Sequence, residues 1–370
     1  MKSRVITSLD ELRDFREDWE TLRLRCHAPI FSSFDLVYLW LENFKIGASP
    51  RVVVVEEKGE LVGVAPLFVY KHKAMGLPVT TISLVGNHRH FTGYSLESVL
   101  AKDGEPEILR EMLRRTKSIR WNLMQLFDME PNIGNLRFLD GIKAEMEWEP
   151  HAEKIDRLYE FPEKGHITDG FGWRTRKNLR TIWNKLEREG RMAFRTLCSE
   201  EDMEKAMWLY IEQHKERWRN RGGSIFQKPR EGRLLIEMAK LAGRRRIGVM
   251  QELLIDGEVA GQLFSFFDGE VSRAYRMGMA EKFRELSPGR LVMTLAMEDH
   301  RARGLKAMDL LHGDEEYKLH LTNKERRLQA VQVSRGSLRT LSRIRAFPPI
   351  KLIDERLGIR ERMLKRVYTG

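Results

Sequence analysis

Asp256-Gly257 and Asp268-Gly269 bracket a run of half-apolar residues, Val259 to Phe267. Asp-Gly supplies the positive φ angles of a tight hairpin turn, so the pair predicts a meander whose third strand runs over Val271 to Met279. Beyond Met279 the apolar period changes. After Arg284-Glu285-Leu286-Ser287-Pro288-Gly289-Arg290, residues Leu291, Val292, Leu295, Ala296 and Met297 recur at helical spacing, and Gly304 supplies a stop. A short strand over Lys306 to Leu311 then leads into His312-Gly313-Asp314-Glu315-Glu316-Tyr317-Lys318. The unit is three strands, a loop opening a helix, a strand, and a polar cluster at that strand's end.

Ser287 has the chemistry of a helix N-cap, and Pro288 suits the first helical position, where its missing N–H costs nothing. Gly289 lets a ligand approach the backbone. Free N–H groups and the helix dipole make the loop a candidate pyrophosphate site. A plain capped helix start is the competing reading of the same residues.

The first half echoes this order. Gly59-Glu60-Leu61-Val62-Gly63-Val64 parallels Gly257-Glu258-Val259-Ala260-Gly261-Gln262, and strand, helix and strand follow near Thr80–Val85, Glu105–Thr116 and Asn122–Phe127. The echo predicts tandem domains of one architecture. Their boundaries are placed at 1–160 and 161–336, with a linker near Pro150 to Gly172 and a basic helical tail over 337–370. Where the second half has Ser-Pro-Gly, the first has Gly86-Asn87-His88-Arg89-His90-Phe91-Thr92-Gly93-Tyr94. His88, His90 and Tyr94 are candidate substrate contacts, or members of an ordinary polar loop. Beyond Thr322 a last strand, Leu328 to Val333, is expected to complete the sheet.

Charge narrows the partners. The formal net charge is +11, and the stretch from Arg335 to Gly370 holds ten basic residues against three acidic ones. Such a surface favours anionic partners. The tail's apolar residues suit docking on the protein body, a membrane surface, or a membrane-bound synthase. Nucleic acid is disfavoured, because no aromatic platform accompanies the charge. Cys26 and Cys198 show no paired spacing, and no histidine pattern suggests a metal, so a metal-free protein with two buried thiols is expected. No apolar run approaches a membrane span and no signal-peptide core is present. The expectation is a cytoplasmic protein, with membrane association left to the tail.

The element order, with Ser287-Pro288-Gly289 opening a helix and Asp309-Leu310-Leu311-His312-Gly313-Asp314-Glu315-Glu316-Tyr317-Lys318 closing the unit, resembles the GNAT acyltransferase superfamily. More closely it resembles the branch of the Fem peptidyltransferases and the CelD/BcsL-type acetyltransferases of polysaccharide synthesis. Trp173-Arg174-Thr175-Arg176-Lys177-Asn178-Leu179-Arg180 is similar to the basic helix that begins the acyltransferase domain there. The resemblance covers roughly Phe171 to Thr322. It departs from the usual phosphate loop, of which only Arg284 and Gly289 remain.

The resemblance implies a mixed α/β (α+β) fold: tandem GNAT-like domains, each a mainly antiparallel twisted sheet flanked by helices. It also implies an N- or O-acyltransferase that uses acetyl-CoA or another acyl-CoA. Arg284, Ser287, Pro288, Gly289, Arg290 and Leu291 would bind the cofactor. Arg176, on the basic amphipathic helix over Arg174 to Glu189, reads as part of a solvated charged face or as a contact to an acidic substrate or the cofactor's phosphates. Lys318 would polarise the acyl carbonyl and Tyr317 donate or orient a proton. Asp314 or Glu315 would serve as base or acceptor-binding group, the competing reading being that Gly313-Asp314-Glu315 only caps a helix; His312 is either a base or a buried structural histidine. The expected acceptor is a sugar or an exopolysaccharide or cell-envelope precursor. The alternatives are an aminoacyl-tRNA-dependent transferase of the Fem kind and a silent partner of a polysaccharide synthase.

Overall fold

The computed structural model describes residues 1–74, 77–86, 98–149, 154–313 and 315–336. The expected contacts His88, His90 and Tyr94, together with Asp314 and the tail, lie outside the described residues. In the first half the elements are β1 (Lys2–Ile6), α1 (Leu9–Arg13), α2 (Arg16–Arg25), α3 (Phe34–Phe44), β2 (Ser49–Pro50), β3 (Val52–Glu57), β4 (Glu60–Ala65), β5 (Leu67–Ala74), β6 (Leu77–Leu84), β7 (Leu100–Ala101), α4 (Pro106–Ser118), β8 (Leu123–Met129) and α5 (Ile133–Glu145). The second half continues with β9 (Ile155–Glu160), α6 (Trp173–Arg188), β10 (Met192–Leu197), α7 (Glu200–Trp218), α8 (Pro229–Arg245), β11 (Gly248–Ile255), β12 (Glu258–Asp268), β13 (Val271–Met279), α9 (Pro288–Ala302), β14 (Ala307–His312), α10 (Glu316–Leu321), β15 (Lys324–Arg327) and β16 (Gln329–Ser334).

Turn chemistry explains the meander. Asp256 and Gly257 take φ of 55° and 79°, as a two-residue hairpin turn requires, and Lys58 and Gly59 do the same at 52° and 85° between β3 and β4. The matched turns belong to matched topologies. In the second half β11, β12 and β13 pair antiparallel, and β13 then pairs parallel with β14 at three positions only, Val271–Ala307 to Arg273–Asp309. In the first half β5 and β6 pair antiparallel, and β6 pairs parallel with β8 at three positions, Thr81–Leu123 to Ser83–Gln125. This is the expected mixed α/β architecture, present once in each half, although the strands of the first half divide between a four-stranded sheet, β1-β3-β4-β7, and a five-stranded one, β16-β8-β6-β5-β2.

The strands do not respect the order of the chain. β9 lies in the expected linker, yet it pairs antiparallel with β14 and β15 inside the second sheet. β16 departs from the expectation in the other direction. It pairs antiparallel with β8 and completes the first sheet, with Val331 and Val333 buried there. Across a boundary at residue 160, each sheet thus takes one strand from the other side: β9 joins β14 and β15, and β16 joins β8.

The cores follow the same logic. One apolar cluster joins Trp19, Phe31, Trp40 and Phe68 of the first half to Tyr210, Phe264, Phe266 and Tyr275 of the second. The ring of Phe31 sits 5.6 Å from Phe266 and 5.8 Å from Tyr275. On the opposite face of the second sheet, α6 and α9 cover Leu253, Leu263 and Met308 with Leu179, Leu186, Leu291, Val292 and Met297. The aromatic residues of α3 are core, as most of them pack there. Among the described residues no helix is long and apolar enough to cross a membrane. The thiols differ from expectation. Cys26 is half-buried, and burial raises it to about 11, whereas Cys198 is exposed at the end of its edge strand.

Candidate functional site

The site begins where β13 and β14 part company. After Arg273 and Asp309 the parallel pairing ends; β13 continues along β12 to Met279, while β14 follows β9 to His312. A gap therefore opens between the two strand ends. Both strands are irregular there. The β12–β13 register shifts past Tyr275, and the β14–β9 register shifts between Asp309 and His312. Leu311 sits at φ 58°, with its N–H on the Asp309 carboxylate at 2.8 Å. A leucine held in the left-handed region is a costly arrangement of the sort that clusters at functional sites.

Below the gap, α9 starts against β12 and β13. A Cβ on Gly261 would lie 2.8 Å from the Pro288 carbonyl oxygen, so the helix start rests directly on the β12 backbone. A Cβ on Gly289 would meet Met277 Sδ at 3.3 Å. The opening of the helix differs from the sequence expectation. Ser287 adopts φ 50°, and its hydroxyl caps nothing. The cause is the 3₁₀ turn Glu281–Leu286, which runs straight into α9 and leaves Ser287 to end one helix and begin the next. Its carbonyl accepts from the N–H groups of Arg290 and Leu291, while its own N–H goes to Arg284. The Gly289 N–H has no acceptor among the described residues, and Pro288 has none to offer. Arg284 is exposed and faces Glu281 at 3.5 Å, whereas Leu291 is fully buried in the core. Leu291 therefore contributes packing and not a side-chain contact to any ligand.

Tyr317 is partly buried and packs against the core cluster that α6 and α9 cover, as do Met277, Phe283 and Leu286. Burial, then the neighbouring Glu315 carboxylate, raises its phenol; Arg217 opposes this, and Tyr210 also acts on it. No hydrogen bond to the Tyr317 hydroxyl is made within the described residues. Lys318 is turned the other way. Its Nζ donates to the carbonyls of His312 at 2.9 Å and Leu311 at 3.4 Å and faces Glu315 at 3.2 Å. A buried ammonium has three N–H groups, and these three partners use them. Gly313 permits that clasp, since a Cβ there would lie 2.6 Å from Lys318 Nζ. His312 points toward the first half, with Nε2 3.2 Å from Lys154 Nζ. Burial is the main cause that lowers its pKa, with Lys154 and Lys318 adding to it.

The far wall is a stripe of α7 that the sequence reading did not single out. Tyr210, His214 and Arg217 fall at i, i+4 and i+7 and so share one face. The Tyr210 ring lies where a Cβ on Gly278 of β13 would sit 2.7 Å away. His214 Nδ1 is 2.8 Å from Ser224 Oγ, and the imidazole packs edge-on to Phe226 and stacks on Trp218. Burial, then Arg276 and Arg217, lowers His214 to about 4. Arg217 Nε lies 4.0 Å from Glu281 in the 3₁₀ turn, and Arg221 pairs with the same carboxylate at 2.7 Å. The spacing of Tyr210, His214 and Arg217 was legible; Glu200–Trp218 read simply as a helix between a strand and a loop. Arg176 stands apart on α6, half-exposed, lining with Trp173 and Lys177 a surface depression of about 360 Å³. Among the described residues no group of three or more His, Cys, Asp or Glu could hold a metal ion.

Residues 174–319 match the family described as Acetyltransferase (GNAT) domain. No curated protein matches the chain. Among solved structures, FemX shares 13% identity at a TM-score of 0.50, over 90% of this chain and 98% of that one. A conserved protein of unknown function from Bacteroides thetaiotaomicron VPI-5482 shares 11% identity at a TM-score of 0.55, over 90% of this chain and all of that one. These likenesses speak to the fold.

Proposed function

With a GNAT acyltransferase domain at residues 174–319 as the premise, we propose that the chain transfers an acyl group from acyl-CoA to an amine or hydroxyl, through direct attack on the thioester. The observation that carries this reading is the gap that opens between β13 and β14 past Arg273 and Asp309, with the start of α9 resting on β12 and β13 below it; in this reading the Gly289 N–H and the Tyr317 hydroxyl serve its two ends. The donor's pantetheine arm would lie along the unpaired edge of β13. Its pyrophosphate would take the Gly289 N–H at the start of α9, where the helix dipole favours negative charge. GNAT chemistry needs a donor proton for the departing thiolate, and Tyr317 has a free hydroxyl kept protonated by burial. Lys318 has no N–H left for an acyl carbonyl, so its role in this proposal is to hold the irregular end of β14 in shape. Arg284 and Arg290 remain available at the solvent side of the loop for the nucleotide phosphates. By resemblance to the CelD/BcsL-type branch, the acceptor is a sugar or cell-envelope precursor, and acetyl-CoA is the first donor to try.

Thermal stabilisation by acetyl-CoA tests this. A ligand at 100 times its dissociation constant adds about 2.7 kcal/mol. An upward shift of the unfolding temperature that saturates with acetyl-CoA is expected. No shift at millimolar acetyl-CoA would remove the donor from the proposal and leave a silent scaffold.

A further inference from the structure

The proposed reaction needs a base for the acceptor's proton, and the acidic residues near Tyr317 are poorly placed for it. Glu315 is engaged by Lys318, and His312 faces Lys154 and the first half. Across the gap, His214 stands on the stripe of α7 whose Tyr210 ring packs on Gly278 of β13, past the point where β14 leaves that strand, and whose Arg217 lies 4.0 Å from Glu281 in the turn before α9. The stripe that carries His214 therefore lines the β13 side of the gap.

We propose that His214 is the general base of the acyl transfer, held by Ser224 so that Nδ1–H is donated to Ser224 Oγ and Nε2 presents its lone pair to the acceptor. This rests on the acyl-CoA reading given above. Ser224 is suited to the task because it is buried and fixed, its oxygen also accepting the Phe226 N–H at 3.1 Å. Trp218 stacks on the imidazole at 5.8 Å and Phe226 meets it edge-on at 4.8 Å. The groups facing the ring are Arg217 on its own helix, Arg276 on β13, and the Tyr210 phenol. None is acidic, so the imidazole is unprotonated at neutral pH and its lone pair is available.

In the step itself, the acceptor nitrogen or oxygen forms a bond to the acyl carbon and its proton passes to His214 Nε2. The C–S bond breaks, and the thiolate takes the Tyr317 proton. The imidazolium and phenolate then return to their starting forms by passing a proton through water. An attacking amine becomes strongly acidic once it has bonded to the acyl carbon, so a weak base suffices for it.

Bromoacetyl-CoA tests the geometry without a known acceptor. Its CH₂Br carbon occupies the acyl position, and an imidazole nitrogen there displaces bromide and keeps the adduct. With the full chain in a Cys198→Ser background, peptide mass spectrometry is expected to find the adduct on His214. Excess CoA should block it, and the labelling rate should stay level as pH falls to about 5 and drop toward the pKa of about 4. His214→Gln should lose the adduct while acetyl-CoA still stabilises the variant as it does the parent. Stabilisation of the parent with His214 unlabelled, or with the adduct on another side chain, overturns this inference alone. A parent that acetyl-CoA does not stabilise overturns the donor reading and this one with it.

Discussion

Tyr317 and Lys318 are adjacent in the chain and differ in what their loss should do. The Tyr317 hydroxyl bonds to nothing in the described protein, so Tyr317→Phe should leave the unfolding temperature and acyl-CoA affinity nearly unchanged. Turnover should fall by about 10²–10⁴-fold, the usual weight of a positioned proton donor. Unaltered turnover would mean that water protonates the thiolate. Lys318→Met instead strands the buried Leu311 carbonyl and the half-buried His312 carbonyl, at about 1–3 kcal/mol for the buried one. Its main effect is expected in chemical denaturation, and full stability would contradict the clasp. The histidines add a pH signature. His300 is fully buried with Nδ1 2.9 Å from Ser272 Oγ, and burial lowers it to about 4. Unfolded histidine titrates near 6.5, so below that pH the unfolded chain binds protons that the folded chain refuses. Stability should be whole above about pH 6.5 and decline as pH falls toward 4. His300→Gln should flatten that decline in thermal scans; an identical slope would assign it to other groups.

At the level of elements, the sequence spoke most clearly where one residue type has one geometric use. Asp256-Gly257 and Lys58-Gly59 needed positive φ and took it, and Glu200–Trp218 and Val271–Met279 fall where the periodicity put them. Ser287 misled because its cap chemistry is real but contingent on the preceding chain. A 3₁₀ turn abutting the helix took over the position. Gly261 carried a signal of another sort, a glycine inside a central strand, whose cause is the Pro288 carbonyl lying on it. Gly261→Val must push the start of α9 off the sheet. The expected cost is about 1–3 kcal/mol of stability, together with weakened acyl-CoA binding, since the Gly289 N–H moves with the helix. Retained affinity in a folded Gly261→Val chain would place the phosphates elsewhere.

The molecule as a whole was the least legible level. Repeat, turn types and element order were visible in the chain; the exchange of β9 and β16 was not, because strand partners depend on contacts far apart in sequence. A cut after residue 160 would keep β9 with the first half although all its partners lie in the second sheet. A buried ionic group ties the exchange together. Asp309 on β14 accepts from Arg273 on β13 and from Arg326 on β15, which also reaches Asp156 on β9 and Glu130 beyond β8. Removing one member leaves buried charge uncompensated, at about 3–5 kcal/mol. Residues 161–336 expressed alone should consequently fail to fold, having lost β9 and the sheet that β16 joins. A cooperative thermal transition in that fragment would contradict the interdependence.

All of this converges on one space between β13 and β14. A crystal structure of the full chain with CoA examines it most directly. The account predicts the pantetheine arm along the unpaired edge of β13, pyrophosphate oxygen on the Gly289 N–H, and the sulfur beside the Tyr317 hydroxyl. CoA bound outside that gap, or a gap closed by side chains with CoA absent at saturating concentration, would contradict it.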